Sequence, residues 1–247
     1  MTGTVYLVGS GPGNPELITV KGKELLKKAD VVIYDALINQ NILKLCKPDA
    51  ELIDAGKRGN KHSMEQWEIN KLLIKKAEEG KTVIRLKGGD PFLFGRGAEE
   101  AENLRRAGIE IHVVPGVSSS IAVPELAGIP VTHRDYSSMV TFVTGHERAD
   151  LINGRIDWTT LAKGHGTIVV LMGLGNADLI SKGLISGGMS SETAVAVITN
   201  GSTHSQNTEI TTISRLTETI SEKMLKPPGI IVIGDVVCLR NILGDLI

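Results

Sequence analysis

The stretch from Thr82 to Glu100, TVIRLKGGDPFLFGRGAEE, constrains the fold of this chain more than any other. Val83, Ile84 and Leu86 are β-branched or apolar and follow the helix-stopping Gly80, so the spacing predicts a short buried strand. Gly88, Gly89, Asp90 and Pro91 end that strand in a sharp turn, and Gly95 and Gly97 repeat the punctuation before a helix that starts near Ala98. In an α/β chain, a glycine-rich loop at the carboxyl end of a strand lies where such sheets bind their ligands.

The segments on either side fit an α/β pattern. Strands are expected at 4–8, 30–34, 51–54 and 111–114, with helices over 19–28, 66–79 and 99–107, which makes a mostly parallel sheet. Pro115-Gly116 breaks this pattern and sets the expected junction between an N-terminal α/β domain, 1–114, and a C-terminal one, 115–247. The second half starts with a helix at 118–126. Strands follow at 140–144, 167–172, 194–199 and 230–233, with an edge strand at 206–213. Helices are expected at 177–185 and 216–225, the latter ended by Pro227-Pro228.

Composition narrows the function. With a net charge of −1, nothing global draws the chain to nucleic acid or a membrane surface, and 3% aromatic residues leave few stacking platforms for a single strand. Cys46 and Cys238 are too few and too far apart for a disulfide framework or a cysteine-based zinc site; they read as buried thiols in a reducing cytoplasm. There is no basic-then-apolar leader and no apolar run of the ~20 residues a membrane span needs, so a soluble, cytoplasmic protein is expected. Clustered metal ligands, a Walker loop and a nucleophile elbow are all missing, so no metal is expected.

Several loops could carry chemistry. The first strand runs into Gly9-Ser-Gly-Pro-Gly-Asn-Pro15, but Asn14 stands where a dinucleotide fingerprint needs its third glycine, and Pro12 removes an N–H that pyrophosphate would require. Asp35 ends the second strand and reads equally as a helix cap, a ribose ligand or a base. Lys57, Arg58, Lys61 and His62 form a basic loop without an acid, either solvated surface or an anion site. The three serines at 118–120 open a helix, Met172 and Gly201 end strands, and Arg134 sits in the dense polar segment IPVTHRDYS. Two α/β halves meeting at a junction would place a small-molecule site in the cleft between them.

The segments VGSGPGNPELIT, VVIYDALI, GKRGNKHS, RLKGGDPFLFGRGAEE, VVPGVSSSIAVPELAGIPVTHRDY and VLMGL, in this order over nearly the whole chain, resemble the tetrapyrrole methylases. The resemblance implies a two-domain fold with a mixed sheet in the C-terminal domain and the active site in the cleft. It also implies transfer of methyl groups from S-adenosyl-L-methionine to two pyrrole carbons of uroporphyrinogen III, giving precorrin-2 by way of precorrin-1 on the route to sirohaem and cobalamin. It assigns Pro12, Gly88, Gly89, Asp90, Leu93, Ser118, Ser119, Met172 and Gly201 to the methyl donor, which leaves as S-adenosyl-L-homocysteine. Asp35 becomes the proton acceptor and Lys57 the proton donor, and a homodimer is implied. Asn14 stands where an aspartate is common in the family, and Ser118-Ser119 where a threonine-alanine pair is common. Because the acceptor carries eight carboxylates' worth of acetate and propionate arms, Arg58, Lys61, His62, Arg96 and Arg134 are the expected acceptor-binding cations. A sister methylase acting on a later precorrin, a nicotinamide-dependent dehydrogenase and a non-catalytic macrocycle carrier are the rival readings.

Overall fold

The computed structural model of the chain describes residues 2–56, 64–145 and 156–247. They fall into two compact units, Met1–Ser119 and Ser120–Ile247.

The first unit is built on five strands: β1 (Thr4–Gly9), β2 (Val31–Tyr34), β3 (Glu51–Asp54), β4 (Val83–Lys87) and β5 (Glu110–Val114). They lie in the order β3-β2-β4-β1-β5 and every pairing is parallel. A parallel sheet needs cover on both faces. On one face, α2 (Gln66–Glu78) and α3 (Gly97–Arg106) bring Ile69, Leu73 and Leu104 against Val5, Leu7, Ile33 and Val83. On the other, α1 (Val20–Leu26) and the turn that follows β2 bring Leu26, Ile38 and Ile42 against Val8, Val32, Ile84 and Leu86. Residues 83 and 84 thus serve opposite cores, as the two-residue period of a strand requires.

Local signals fix these elements. Thr19 caps α1 by accepting the Gly22 N–H at 3.1 Å, and the Glu68 side chain reaches back 2.7 Å to the Glu65 N–H at the start of α2. Asp30 ties the amino ends of β2 and β4 together, accepting from the Thr82 N–H at 2.8 Å and from Lys47 Nζ at 2.7 Å. These bonds, the Lys47 one foremost, hold the Asp30 carboxyl below its ordinary value.

At the opposite, carboxyl edge, three loops approach so closely that only glycine fits. A Cβ on Gly116 would lie 2.2 Å from the Gly89 carbonyl oxygen, and one on Gly9 would lie 2.6 Å from both Gly89 O and Gly116 Cα.

The second unit contains α4 (Ser119–Leu126), which begins at the last residue of the first. It continues with β6 (Val140–Thr144), α5 (Trp158–Ala162), β7 (Thr167–Leu171), α6 (Ala177–Ser186), β8 (Ala194–Thr199), β9 (Asn207–Thr212), α7 (Leu216–Glu222), β10 (Gly229–Ile233) and α8 (Arg240–Leu243). Its sheet order is β6-β7-β10-β8-β9. β6 and β7 are parallel and the other pairings antiparallel, so this sheet is mixed and β9 is the edge expected from the sequence. α4 covers one face through Val123 and Ala127, while α6 and α7 cover the other through Ile180, Leu184 and Leu216.

Two expectations need correction. α7 stops at Glu222, before Pro227-Pro228, because Met224 takes a left-handed backbone (φ 51°) that a helix cannot continue through. Cys238 is exposed rather than buried, since it lies on a short 3-10 turn at 235–239 beyond the last strand. Among the described residues no helix is long and apolar enough to cross a membrane.

Gly116→Ala should lower stability by about 1–3 kcal/mol, because the methyl group meets fixed backbone; denaturant unfolding at neutral pH measures it. Asp30→Asn should cost about 1 kcal/mol at pH 7. Since the folded carboxyl is the more acidic, its stabilisation is complete above the ordinary aspartate value of about 3.9 and vanishes as pH falls through the lower folded value. Thermal melts of parent and variant should therefore converge in acid.

Candidate active site

Most of the residues singled out in the first half gather on the carboxyl edge of the parallel sheet. The loops after β1 and β4 are stitched by a two-way backbone bridge: Gly11 N–H donates to Gly89 O at 3.3 Å and Gly89 N–H to Gly11 O at 2.8 Å. Ser10 N–H donates to Lys87 O at 2.8 Å. Pro12 therefore sits in a loop whose preceding donors are already engaged. Gly89, at φ +63°, faces the segment 118–119 at contact distance: a Cβ there would stand 3.7 Å from Ser119 N and 3.9 Å from Ser118 Cα. Asp90 holds the cluster together. Its Oδ1 accepts from the Phe92 and Leu93 N–H groups at 2.8 and 3.2 Å, and its Oδ2 from the Gly116 N–H at 3.1 Å. Pro12, Gly88, Gly89, Asp90, Leu93, Ser118 and Ser119 are thus brought together. Asn14, the departure from the family pattern, caps the 3-10 turn at 15–17 by accepting the Glu16 N–H at 2.9 Å.

Asp35 follows β2 on the same edge, its N–H bonded to Leu86 O at 3.2 Å. Its carboxylate, 32% exposed, reaches a group of buried charges outside the residues expected from the sequence. Arg85 and Lys87 are 2% and 3% exposed, and Glu100, from α3, is fully buried. Arg85 Nη2 pairs with Asp35 Oδ1. Arg85 Nε donates to Glu100 Oε1 at 3.2 Å and Lys87 Nζ to the same oxygen at 3.0 Å. Lys87 Nζ also lies 3.7 Å from Asp35 Oδ2, Gln66 Nε2 donates to Glu100 Oε1 at 3.0 Å, and Arg85 Nη1 to the Ile33 carbonyl at 3.3 Å. Two cations meet two carboxylates, so the cluster is neutral. Removing one partner would strand a buried charge at a cost of about 3–5 kcal/mol. A signal was available: Arg85 and Lys87 interrupt, at alternate positions, a strand that a parallel sheet buries on both faces.

The predicted cations fare differently. Arg96, left-handed at φ 58°, is forked onto Glu99, with Nη2 to Oε2 at 2.7 Å and Nε within 3.2 Å of both oxygens; this bonding raises its pKa further. Lys57, Arg58, Lys61 and His62 lie outside the described residues.

In the second unit, Met172 and Gly201 end β7 and β8, two strands that run the same way on either side of β10. Strand spacing puts them about 10 Å apart on one edge. Met172 is half exposed at φ 55°, and Asn200 and Ser202, flanking Gly201, are also left-handed. A Cβ at 201 would strike Val123 of α4 at 2.4 Å, and one on Gly145, after β6, would meet Gly173 Cα at 2.3 Å. Arg134 is not brought to this edge. Its turn, closed by mutual His133–Ser137 backbone bonds at 2.9 Å, is anchored through Ser137 Oγ to Thr167 at the amino end of β7. Of the described non-glycine residues with positive φ, only Met224 lies away from these strand-end loops, the others being Phe94, Arg96, Met172, Asn200 and Ser202. Such unfavourable backbone tends to persist at functional sites. Among the described residues no group of three or more His, Cys, Asp and Glu side chains is placed to hold a metal ion.

Comparison with known proteins identifies relatives of the whole chain. The family model for Tetrapyrrole (Corrin/Porphyrin) Methylases matches residues 4–217. An S-adenosyl-L-methionine-dependent uroporphyrinogen III methyltransferase of Methanosarcina barkeri is 50% identical over 98% of this chain and 95% of its own length. A uroporphyrinogen-III C-methyltransferase of Methanocaldococcus jannaschii is 51% identical over 96% of this chain and 98% of its own length. The crystal structure of the Thermus thermophilus uroporphyrin-III C-methyl transferase, complexed with S-adenyl homocysteine, superposes with a TM-score of 0.81 at 37% identity, covering 95% of this chain and 93% of that one. The strand order, the glycine-stitched loops and these matches agree: the chain belongs to the tetrapyrrole methylases.

Proposed function

We propose that this protein is an S-adenosyl-L-methionine-dependent C-methyltransferase that methylates two pyrrole carbons of uroporphyrinogen III, by way of precorrin-1, to give precorrin-2. The observation that carries the reading is the Gly11–Gly89 bridge, supported by the relatives above. With the Ser10, Gly11 and Gly89 N–H groups spent on backbone oxygens and Pro12 lacking one, the loop has few donors left for a pyrophosphate. A phosphate-free donor suits it, and a nicotinamide dinucleotide does not.

When bound, S-adenosylmethionine supplies an electrophilic methyl group whose transfer leaves a neutral thioether. The first unit offers it Pro12, the Gly88-Gly89-Asp90 turn, Leu93, Ser118 and Ser119. Asp90 acts mainly through the backbone it organises, since both its oxygens already accept N–H groups. The pyrrole carbon is electron-rich, so the protein's tasks are alignment and removal of one proton from elsewhere on the macrocycle, which neutralises the cationic ring left when the methyl group is added. Asp35 accepts that proton, and Lys57 is the proton donor of a tautomer shift in which one proton is given for one taken, so that each methyl cation gained is matched by one net proton lost. Arg58, Lys61, His62 and Arg96 receive the acetate and propionate arms; Arg96 exchanges Glu99 for a substrate carboxylate at little cost, because that pair is exposed. The enzyme works in the cytoplasm as a homodimer, an assembly that light scattering on the purified protein checks.

Incubation with uroporphyrinogen III and S-adenosylmethionine should add two methyl groups, read by mass spectrometry, with a one-methyl species appearing first. Product from a later precorrin alone, or calorimetric binding of NADH without binding of S-adenosylmethionine, would overturn the reading. Asp35→Asn should keep the fold and reduce turnover by about 10²–10⁴.

A further inference from the structure

The buried charges beneath Asp35 are more than is needed to hold a strand. A charge cluster kept only for stability can usually be replaced by apolar residues without loss. Here the centre of the cluster is one side chain with its donors aimed in fixed directions. The Arg85 guanidinium bonds the Ile33 carbonyl, in the strand that delivers Asp35, and the Asp35 carboxylate itself, while its Nε is fixed by Glu100. A planar fork that reads both the backbone of β2 and the carboxylate beyond it fixes one relative to the other. Lys87 approaches the second Asp35 oxygen from the same face of β4, and Glu100, itself clamped by Gln66, sets the position of both cations. Asp35 is therefore held from below and open at its exposed side.

We infer that Arg85 is a positioning residue for methyl transfer, with Lys87 and Glu100 as its support: it holds the Asp35 carboxylate at the one orientation from which the proton that leaves the macrocycle after methylation is taken. The inference rests on Asp35 being the proton acceptor. Lysine at 85 would keep the charge and lose the fork, and a misplacement of about 1 Å costs on the order of 10²-fold in rate.

The test compares the parent with Arg85→Lys, Asp35→Asn and the double variant, by kcat and KM for uroporphyrinogen III and by calorimetric affinity for S-adenosylhomocysteine. Arg85→Lys should lower kcat about 10- to 100-fold while KM and the affinity stay within about twofold. In the Asp35→Asn background the same change should cost less than about twofold, because there is no carboxylate left to position. If Asp35→Asn loses turnover and Arg85→Lys does not, or if the two losses multiply, Arg85 has no such role and the reading of Asp35 stands. If Asp35→Asn turns over like the parent, both fall. Should Arg85→Lys fail to fold, Glu100→Gln, which preserves shape and loosens both cations, replaces it in the same comparison with the same expected and contrary outcomes.

Discussion

The middle strand of the N-terminal sheet carries two cations into a place where charge is expensive, and much of the first unit is arranged around neutralising them. Arg85 and Lys87 share the face of β4 covered by α2 and α3, so one of those helices must present an anion at the right height; α3 does so with Glu100, and α2 adds Gln66. The remaining positive charge is met by Asp35 at the strand's open end. The Glu100 Oε2 atom is buried without a hydrogen-bond partner among the described residues, which shows how fully the arrangement is committed to the other oxygen. A core built for stability alone would place a leucine or valine at 85. The cost is understandable if the product is a carboxylate fixed at the edge where small molecules bind.

That edge depends on a second constraint, the absence of side chains at Gly9 and Gly116, which pack onto the Gly89 backbone. Their backbones approach closely enough for the loops after β1, β4 and β5 to form a continuous turn-rich surface, and Asp90 ties the last of these loops to the second by accepting the Gly116 N–H. Such a surface recognises a ligand by shape and by the few backbone groups left over, rather than by a nest of N–H donors around phosphate. In the second unit the corresponding economy lies at Gly145, Gly173 and Gly201, with left-handed Met172, Asn200 and Ser202 beside them. The two units thus share a device, small residues and unusual backbone at strand ends, on sheets of different topology.

The architecture was largely legible in the sequence because its elements are short, apolar and bounded by glycine. β3, β6 and β8 match their expected limits, and β9 is the edge strand expected at 206–213. What escaped has physical causes. α5 is a single turn and a half capped by Asp157, too short for a period to show. α7 ended at a left-handed methionine, a conformation no residue type announces. In the candidate site, glycines and prolines could be found because they punctuate the chain. The Arg85–Glu100 pairing could not, since it joins a strand to a helix through three-dimensional packing, although two cations inside a central strand were visible as an anomaly. Arg134 illustrates the reverse error of emphasis: a dense polar motif drew attention, and its turn is pinned at the amino end of β7, away from Met172.

The carboxyl edge of the parallel sheet, with its donors internally spent, is proposed to receive a phosphate-free sulfonium compound beside a fixed carboxylate. A crystal structure of this protein with S-adenosylhomocysteine is the most direct measurement. The nucleoside and amino-acid portions are expected against the backbone of Gly88, Gly89, Ser118 and Ser119, with the sulfur on the side of Asp35. Ligand found at the amino edge of that sheet, or leaving the Gly89 turn untouched, would contradict this placement.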